Sequence, residues 1–265
     1  MLYRPIAVFD SGLGSLSVVR EIRKIIPSEN ILYFADKMNF PYGKKPKDEL
    51  KSIIINSIRF LEKYRPKLIV MASNTPSVQI FDEIKNKFSI DIIPTKPPLK
   101  KAINMSKKKH IAIMASSGVL HSKEFDYLVN REVPQNIFIT KVDSSDIIDL
   151  VENGSFLSDR NHTFKTIQKV IQSNFEDSID VVALSSTHLP FIKNYLEELL
   201  PSVKLIDSSS HVAKDVKNHL QFYKDINKNS TGKLEILVSS NKKDFQDILR
   251  YMGIREIIYD VSLQF

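Results

Sequence analysis

IAVFDSGLGSLSVVREIRKIIP, residues 6–27, contains the unit from which the rest of the chain is built. IAVFD, residues 6–10, is a short apolar run closed by an acid, and two glycines follow at Gly12 and Gly14. Beyond them Val18, Ile22, Ile25 and Ile26 form one apolar stripe with charged residues on the far side, the 3.6-residue period of an amphipathic helix. A strand without polar alternation expects burial on both faces, which is the situation of a strand in a parallel sheet covered by helices. The same pattern recurs at ILYFAD (31–36), LIVMAS (68–73), DIIPT (91–95), HIAIMAS (110–116), NIFITKV (136–142), DVVALSS (180–186), VKLIDSS (203–209) and LEILVSS (234–240). A second helical stripe is formed by Ile53, Ile54, Ile58 and Leu61. Alternating strands and helices predict the α/β class, with doubly wound parallel sheets.

Nine such strands are many for one sheet, so the expectation is two sheets of four or five strands each. PTKPPLK, residues 94–100, interrupts the pattern with three prolines, and the chain crosses back near IDSSSH, residues 206–211. The expected lobes are therefore residues 1–97 with 208–265, and residues 98–207. SNT at 73–75 and STH at 186–188 end strands in a similar way, which suggests a pseudo-symmetric pair of lobes.

Composition narrows the function classes. A hydrophobic share of 42% and a charged share of 26% are those of a folded globular chain. No run reaches the roughly 20 apolar residues of a membrane helix, and MLYRPIAVFDSG lacks the build of a signal peptide, so a cytoplasmic protein with no membrane partner is expected. The formal charge of +7 comes from 38 Lys+Arg against 31 Asp+Glu. Its Lys-rich stretches, KKPK at 44–47 and SKKKH at 106–110, are interspersed with acids and fall where loops belong, which disfavours nucleic acid as a partner. There is no cysteine, which excludes disulfides, thiolate metal sites and thiol chemistry.

In parallel α/β sheets ligands sit beyond the carboxyl ends of the strands. The first such end is FDSGLGS, residues 9–15, where Asp10 closes the strand, Ser11 offers a hydroxyl, and Gly12 and Gly14 permit close backbone approach. It lacks the third glycine of a dinucleotide fingerprint and the lysine of a phosphate loop, so nucleotides are disfavoured. Three further ends are ADKMNFPYG (35–43), MASNTPS (71–77) and ALSSTHLP (183–190). On residue type alone, Asp10, Asn74 and Thr75 are equally good helix caps, Glu152 is equally a surface acid, and His188 a solvent-facing histidine.

Together, these four strings resemble the glutamate racemase family, whose members show FDSG(V/L)GG, GD…PYG, ACNTAS and LGCTHYP segments in this order. The resemblance runs over essentially the whole chain. It implies two pseudo-symmetric α/β lobes with the active site in the cleft between them. It also implies racemisation of glutamate by two-base proton transfer, with no cofactor and no metal, in a family tied to D-amino acid supply for cell wall biogenesis. The implied ligand is a small amino acid or dicarboxylate, and a homodimer is compatible with the family. By the same resemblance Asp10 and Ser11 meet the substrate amino group, and Asp10 assists the first proton carrier. Pro41, Tyr42 and Gly43 line the pocket, Asn74, Thr75 and Thr187 hold the α-carboxylate, Glu152 is the acidic helper, and His188 adjoins the second carrier.

The carriers themselves depart from the family: Ser73 and Ser186 stand at the two cysteine positions. A thiol ionises near neutral pH, whereas an aliphatic hydroxyl does not, so slow racemisation is expected. Serine at both positions has two explanations, deliberate replacement of cysteine or natural divergence, and the second is favoured because neighbouring positions differ too, with Ser185 for glycine, Leu189 for tyrosine, Lys37 for threonine, Pro76 for alanine, Pro97 for glutamate and Val119 for a substrate-binding threonine. Two alternatives follow. One is a catalytically silent amino-acid-binding or regulatory member. The other is a serine-based hydrolase or decarboxylase using Asp10, Ser73 and His188.

Overall fold

The computed structural model describes residues 2–227 and 231–263. They fall into two compact units, Met1–Thr95 with Ser209–Phe265, and Lys96–Ser208. The crossings lie inside the PTKPPLK and IDSSSH segments.

The first unit carries a six-stranded sheet in the order β10-β9-β2-β1-β3-β4. Its strands are β1 (Ile6–Asp10), β2 (Ile31–Ala35), β3 (Leu68–Met71), β4 (Ile92–Pro94), β9 (Leu234–Val238) and β10 (Ile258–Asp260). The second unit has a four-stranded sheet, β6-β5-β7-β8, made of β5 (His110–Ala115), β6 (Phe138–Asp143), β7 (Val181–Leu184) and β8 (Lys204–Asp207). Every adjacent pair in both sheets is parallel. The nine expected strands are all present. The sheet sizes differ from expectation because Ile258–Asp260 adds a tenth strand at the edge of the first sheet. Only Ile258 of its three residues is buried, so the segment lacks the apolar run that marks the others.

The two sheets share one winding. β2-β1-β3-β4 and β6-β5-β7-β8 are the same order with the numbers advanced by four. In each, the chain steps from the first strand to one side and then returns to the other side, which creates a switch point between β1 and β3 and another between β5 and β7.

Burial follows position in the sheet. β1, β2, β3 and β7 are buried at every residue, whereas edge strands β4, β6 and β8 are half-buried or alternate. Helix Leu16–Ile25 packs on helix Ser209–Phe222, with the Ser209 hydroxyl donating to Ser17 Oγ at 3.3 Å. Its stripe is set by Val18 and Ile22, which are buried, while Ile25 is half-buried. Helix Lys47–Glu62 turns Leu50, Ile54, Ile58 and Leu61 onto Phe9, Phe34 and Met71, and Ile53 sits at the margin of that core. Leu50 replaces Ile53 as the first member because residues 50, 54, 58 and 61 lie on one face at spacings of four, four and three.

One buried ion pair ties the amino-terminal edge of this first sheet together. Lys67 Nζ meets Glu29 Oε2 at 2.9 Å with side-chain exposures of 8% and 1%. The backbone N–H of Asn227 donates to Glu29 Oε1 at 2.6 Å, and Lys67 also donates to the Asp225 carbonyl. Gly232 passes so close that a Cβ there would lie 2.1 Å from the Glu29 carbonyl oxygen. Removing one member of a buried ion pair leaves the other charge uncompensated. Glu29→Ala is expected to lower unfolding free energy by about 3 to 5 kcal/mol in urea titration, and an unchanged midpoint would show that the pair does not anchor this edge.

Candidate active site

The ends of β1, β2 and β3 bring together most of the candidate residues of the first unit. Asp10 is the last residue of β1 and is 1% exposed. Its Oδ1 accepts from the Ser11 backbone N–H at 2.7 Å and lies 3.4 Å from the Ser11 hydroxyl. The N-cap positions of the 3-10 turn Leu13–Ser15 and of helix Leu16–Ile25 are Gly12 and Ser15, so Asp10 occupies neither. Gly12 takes an extended conformation at φ −169°, and its carbonyl accepts from the buried Tyr33 hydroxyl.

Ser73 follows β3 in an extended conformation and precedes helix Asn74–Gln79, yet its side chain makes no capping bond. Ser73, Asn74 and Thr75 are all buried at 5 to 7% exposure. Asn74 Nδ2 donates to the Thr95 carbonyl at 3.1 Å, while the Thr95 N–H is held by Ser77 Oγ at 2.9 Å. Asn74 thereby ties the end of β3 to the end of β4. Pro41 and Gly43 are half-buried. Tyr42 is different: its ring is 1% exposed and belongs to the hydrophobic core with Phe9, Phe34 and Leu50.

Asp36, immediately after β2, is the residue that the motifs did not single out. It is fully buried and gathers four donors. Asn39 Nδ2 approaches both carboxylate oxygens at 3.0 and 2.9 Å, the Tyr42 hydroxyl donates to Oδ2 at 3.0 Å, Ser239 Oγ donates to Oδ1 at 3.1 Å, and Ser57 Oγ lies 3.5 Å from Oδ2. It therefore fastens the loop containing Pro41, Tyr42 and Gly43 to the end of β9 and to helix Lys47–Glu62. Burial raises the Asp36 pKa above its usual 3.8, outweighing the four hydrogen bonds that act to lower it. The Tyr42 hydroxyl is pushed well above its usual range by burial first, and then by the negative charge of Asp36 and Asp10. The sequence signal for Asp36 was an acid at the carboxyl end of an apolar strand, the feature that Asp10 shares.

In the second unit the end of β7 gives Ser185, Ser186, Thr187 and His188. Ser185, Thr187 and His188 are buried and Ser186 is half-buried. His188 Nε2 pairs with Glu152 Oε2 at 2.8 Å, with side-chain exposures of 5% and 4%. His188 Nδ1 faces Ser186 Oγ at 3.5 Å, and the His188 backbone N–H lies 3.4 Å from the same oxygen. Glu152 is thus no surface acid, and His188 no solvent-facing histidine. The grouping of His188 with Asp10 and Ser73 joins residues of different units; within its own unit His188 meets Ser186 and Glu152.

Backbone register makes the two serines equivalent. In the first sheet the Asp36 N–H donates to the Asp10 carbonyl at 2.8 Å and the Ala72 N–H to the Phe9 carbonyl at 2.9 Å. In the second, the Ser144 N–H donates to the Ala115 carbonyl and the Ser185 N–H to the Met114 carbonyl, both at 2.8 Å. Asp10 thus corresponds to Ala115, Asp36 to Ser144, Ala72 to Ser185, and Ser73 to Ser186. Among the described residues no helix is long and apolar enough to cross a membrane, and no cluster of three His, Asp or Glu side chains could hold a metal.

Parallel α/β units with buried polar side chains gathered where the strand order reverses have the architecture in which small-molecule sites form at strand ends. No protein-family model matches the sequence. The chain is 32% identical over 255 residues to the glutamate racemase of Clostridium novyi, spanning 94% of this chain and 97% of that one. It belongs to the glutamate racemase family. Its fold is that of a glutamate racemase isoform from Bacillus anthracis, with a TM-score of 0.86 at 24% identity over 98% of both chains. The glutamate racemase of Francisella tularensis, solved with D-glutamate, is also similar, at 25% identity and a TM-score of 0.82 over 98% of both chains.

The raised pKa of Asp36 carries a pH dependence. A group whose folded pKa lies above its unfolded value contributes stability in full below the unfolded value, here 3.8, and loses that contribution as pH rises through the folded one. Urea midpoints measured from about pH 4 to about pH 7 should fall for the unsubstituted chain relative to Asp36→Asn, in which this group cannot ionise. Parallel profiles for the two proteins would show that Asp36 keeps an ordinary pKa.

Proposed function

We propose that this chain is a cofactor-independent amino-acid isomerase of the glutamate racemase type, with Ser73 and Ser186 in the two proton-carrier positions and glutamate or a closely related small dicarboxylate amino acid as its ligand. The observation that carries the reading is the equivalence of Ser73 and Ser186 in backbone register, in a chain related to glutamate racemases over nearly its whole length. Racemisation of this kind needs a base on one face of the α-carbon and an acid on the other, so two equivalent carriers are what the chemistry asks of the fold.

The other residues take roles that suit their surroundings. Asp10, held by Ser11, supplies a buried carboxylate for a substrate ammonium group. Asn74, Thr75 and Thr187 are the donors proposed for the α-carboxylate. Pro41, Tyr42 and Gly43 form a wall, with Tyr42 acting through its anchor to Asp36. Glu152 and His188 serve the second carrier. A serine hydroxyl does not rest as an anion at neutral pH, so the proton transfer this arrangement supports is slow. The family relationship also supports a cytoplasmic setting and a homodimeric assembly.

Isothermal titration calorimetry tests the ligand class. D-glutamate or L-glutamate should give a saturable heat, ATP and NAD should give none, and Thr75→Ala or Thr187→Ala should weaken binding about tenfold or more, as expected when one hydrogen bond to a charged group is lost. Tight nucleotide binding with no heat from either dicarboxylate would overturn the assignment.

A further inference from the structure

The second unit contains a chain of three side chains, Glu152, His188 and Ser186, whose arrangement suits a second chemistry besides the exchange of a proton at carbon. Glu152 and His188 meet at 2.8 Å through Oε2 and Nε2, and both are nearly enclosed. An ionised carboxylate can only accept, so a neutral imidazole facing one carries its proton on Nε2. In that tautomer the opposite ring nitrogen, Nδ1, carries a lone pair, and it faces the Ser186 hydroxyl at 3.5 Å. Ser186 is the half-buried member of the three, while its two partners are buried. A hydroxyl in front of a basic nitrogen whose far side is held by a carboxylate is the arrangement that activates serine in acyl transfer. The separation of 3.5 Å is longer than a formed O–H···N bond, as is common before an acyl donor is bound.

The geometry points to Ser186 as a nucleophile activated by His188 and Glu152, giving this chain a reactivity toward small carbonyl or phosphoryl electrophiles, above all small carboxylic esters. In the acylation step the Ser186 proton passes to His188 Nδ1 as Oγ bonds to the carbonyl carbon. The carbon–oxygen bond to the alcohol then breaks, and the alcohol leaves with the proton from Nδ1. Water enters in the second half, giving its proton to Nδ1 and its oxygen to the acyl carbon, and Ser186 is regenerated with the acid released. Glu152 touches no substrate; it is a positioning residue that fixes the imidazole tautomer. All three residues belong to one unit, so the inference stands or falls independently of the assignment of Ser73 as a carrier.

The test is covalent labelling of the full chain by a small alkyl fluorophosphonate, read by intact mass and peptide mapping. The serine oxygen bonds to phosphorus and fluoride leaves, so one alkylphosphonyl group should be found on Ser186. Labelling at that site should persist in Ser73→Ala and should vanish in the urea-unfolded chain. It should slow by about 10²-fold or more in His188→Gln, because general-base assistance is worth that much, and fall more modestly in Glu152→Gln. Circular dichroism and thermal unfolding establish that each variant is folded. Should His188→Gln fail to fold, the Glu152→Gln rate and the loss of label on unfolding decide the matter with the natural fold intact. A folded protein unlabelled at Ser186, or labelled equally fast in folded and unfolded forms, would overturn the proposal.

Discussion

Two backbone hydrogen bonds, from Ala72 N–H to the Phe9 carbonyl at 2.9 Å and from Ser185 N–H to the Met114 carbonyl at 2.8 Å, set the register on which the candidate site depends. Side chains along a strand alternate between faces, so a slip of one residue would turn Ser73 or Ser186 to the opposite side of its sheet. The bonds extend the pairing of β1 with β3, and of β5 with β7, one step past the regular strands. Polar groups accumulate there because parallel neighbours need crossover connections, and these leave backbone donors and acceptors at the carboxyl ends for side chains and ligands.

The two units use that shared frame differently. At the end of β2 in the first, Asp36 collects hydroxyl and amide donors, and the resulting knot stiffens a loop. At the corresponding place in the second stands Ser144, with its hydroxyl on the Val142 carbonyl. The acid of the second unit comes instead from helix Ser145–Glu152, which delivers Glu152 to His188. An acid beside a hydroxyl therefore exists in both, but only in the second does an imidazole stand between them. The Ser185 hydroxyl, next to this group, is buried without a hydrogen-bond partner among the described residues. Such a group costs about 1 to 3 kcal/mol, an expense that the glycine usual in the family at this point would not incur.

Most of the fold was legible because the central strands are apolar over nearly their whole length, with single polar residues such as Asp10, His110 and Glu235, a pattern that parallel burial demands and helix periodicity does not imitate. β10 escaped because two of its three residues are exposed and pairing with β9 supplies what its composition lacks. The grouping of the candidate residues was legible where it is local in sequence: Asp10 with Ser11, Ser73 with Asn74 and Thr75, and Ser186 with His188. It was not legible where partners are distant. Nothing between Glu152 and His188, 36 positions apart, announces that they touch. Asp36 was overlooked because the neighbouring Pro41, Tyr42 and Gly43 carry the motif, while the Tyr42 ring proved to be core and Asp36 its anchor.

The central claim is that the fold supplies two carrier positions and that serine at both limits the chemistry. It is tested most directly by following entry of solvent deuterium into the α position of glutamate. The account predicts very slow exchange in the unsubstituted chain and an increase of about 10²-fold or more when Ser73→Cys and Ser186→Cys are combined, with much less from either alone, because the two carriers act as a unit. Fast exchange in the unsubstituted chain, or a double-cysteine protein that binds glutamate and remains inert, would contradict it.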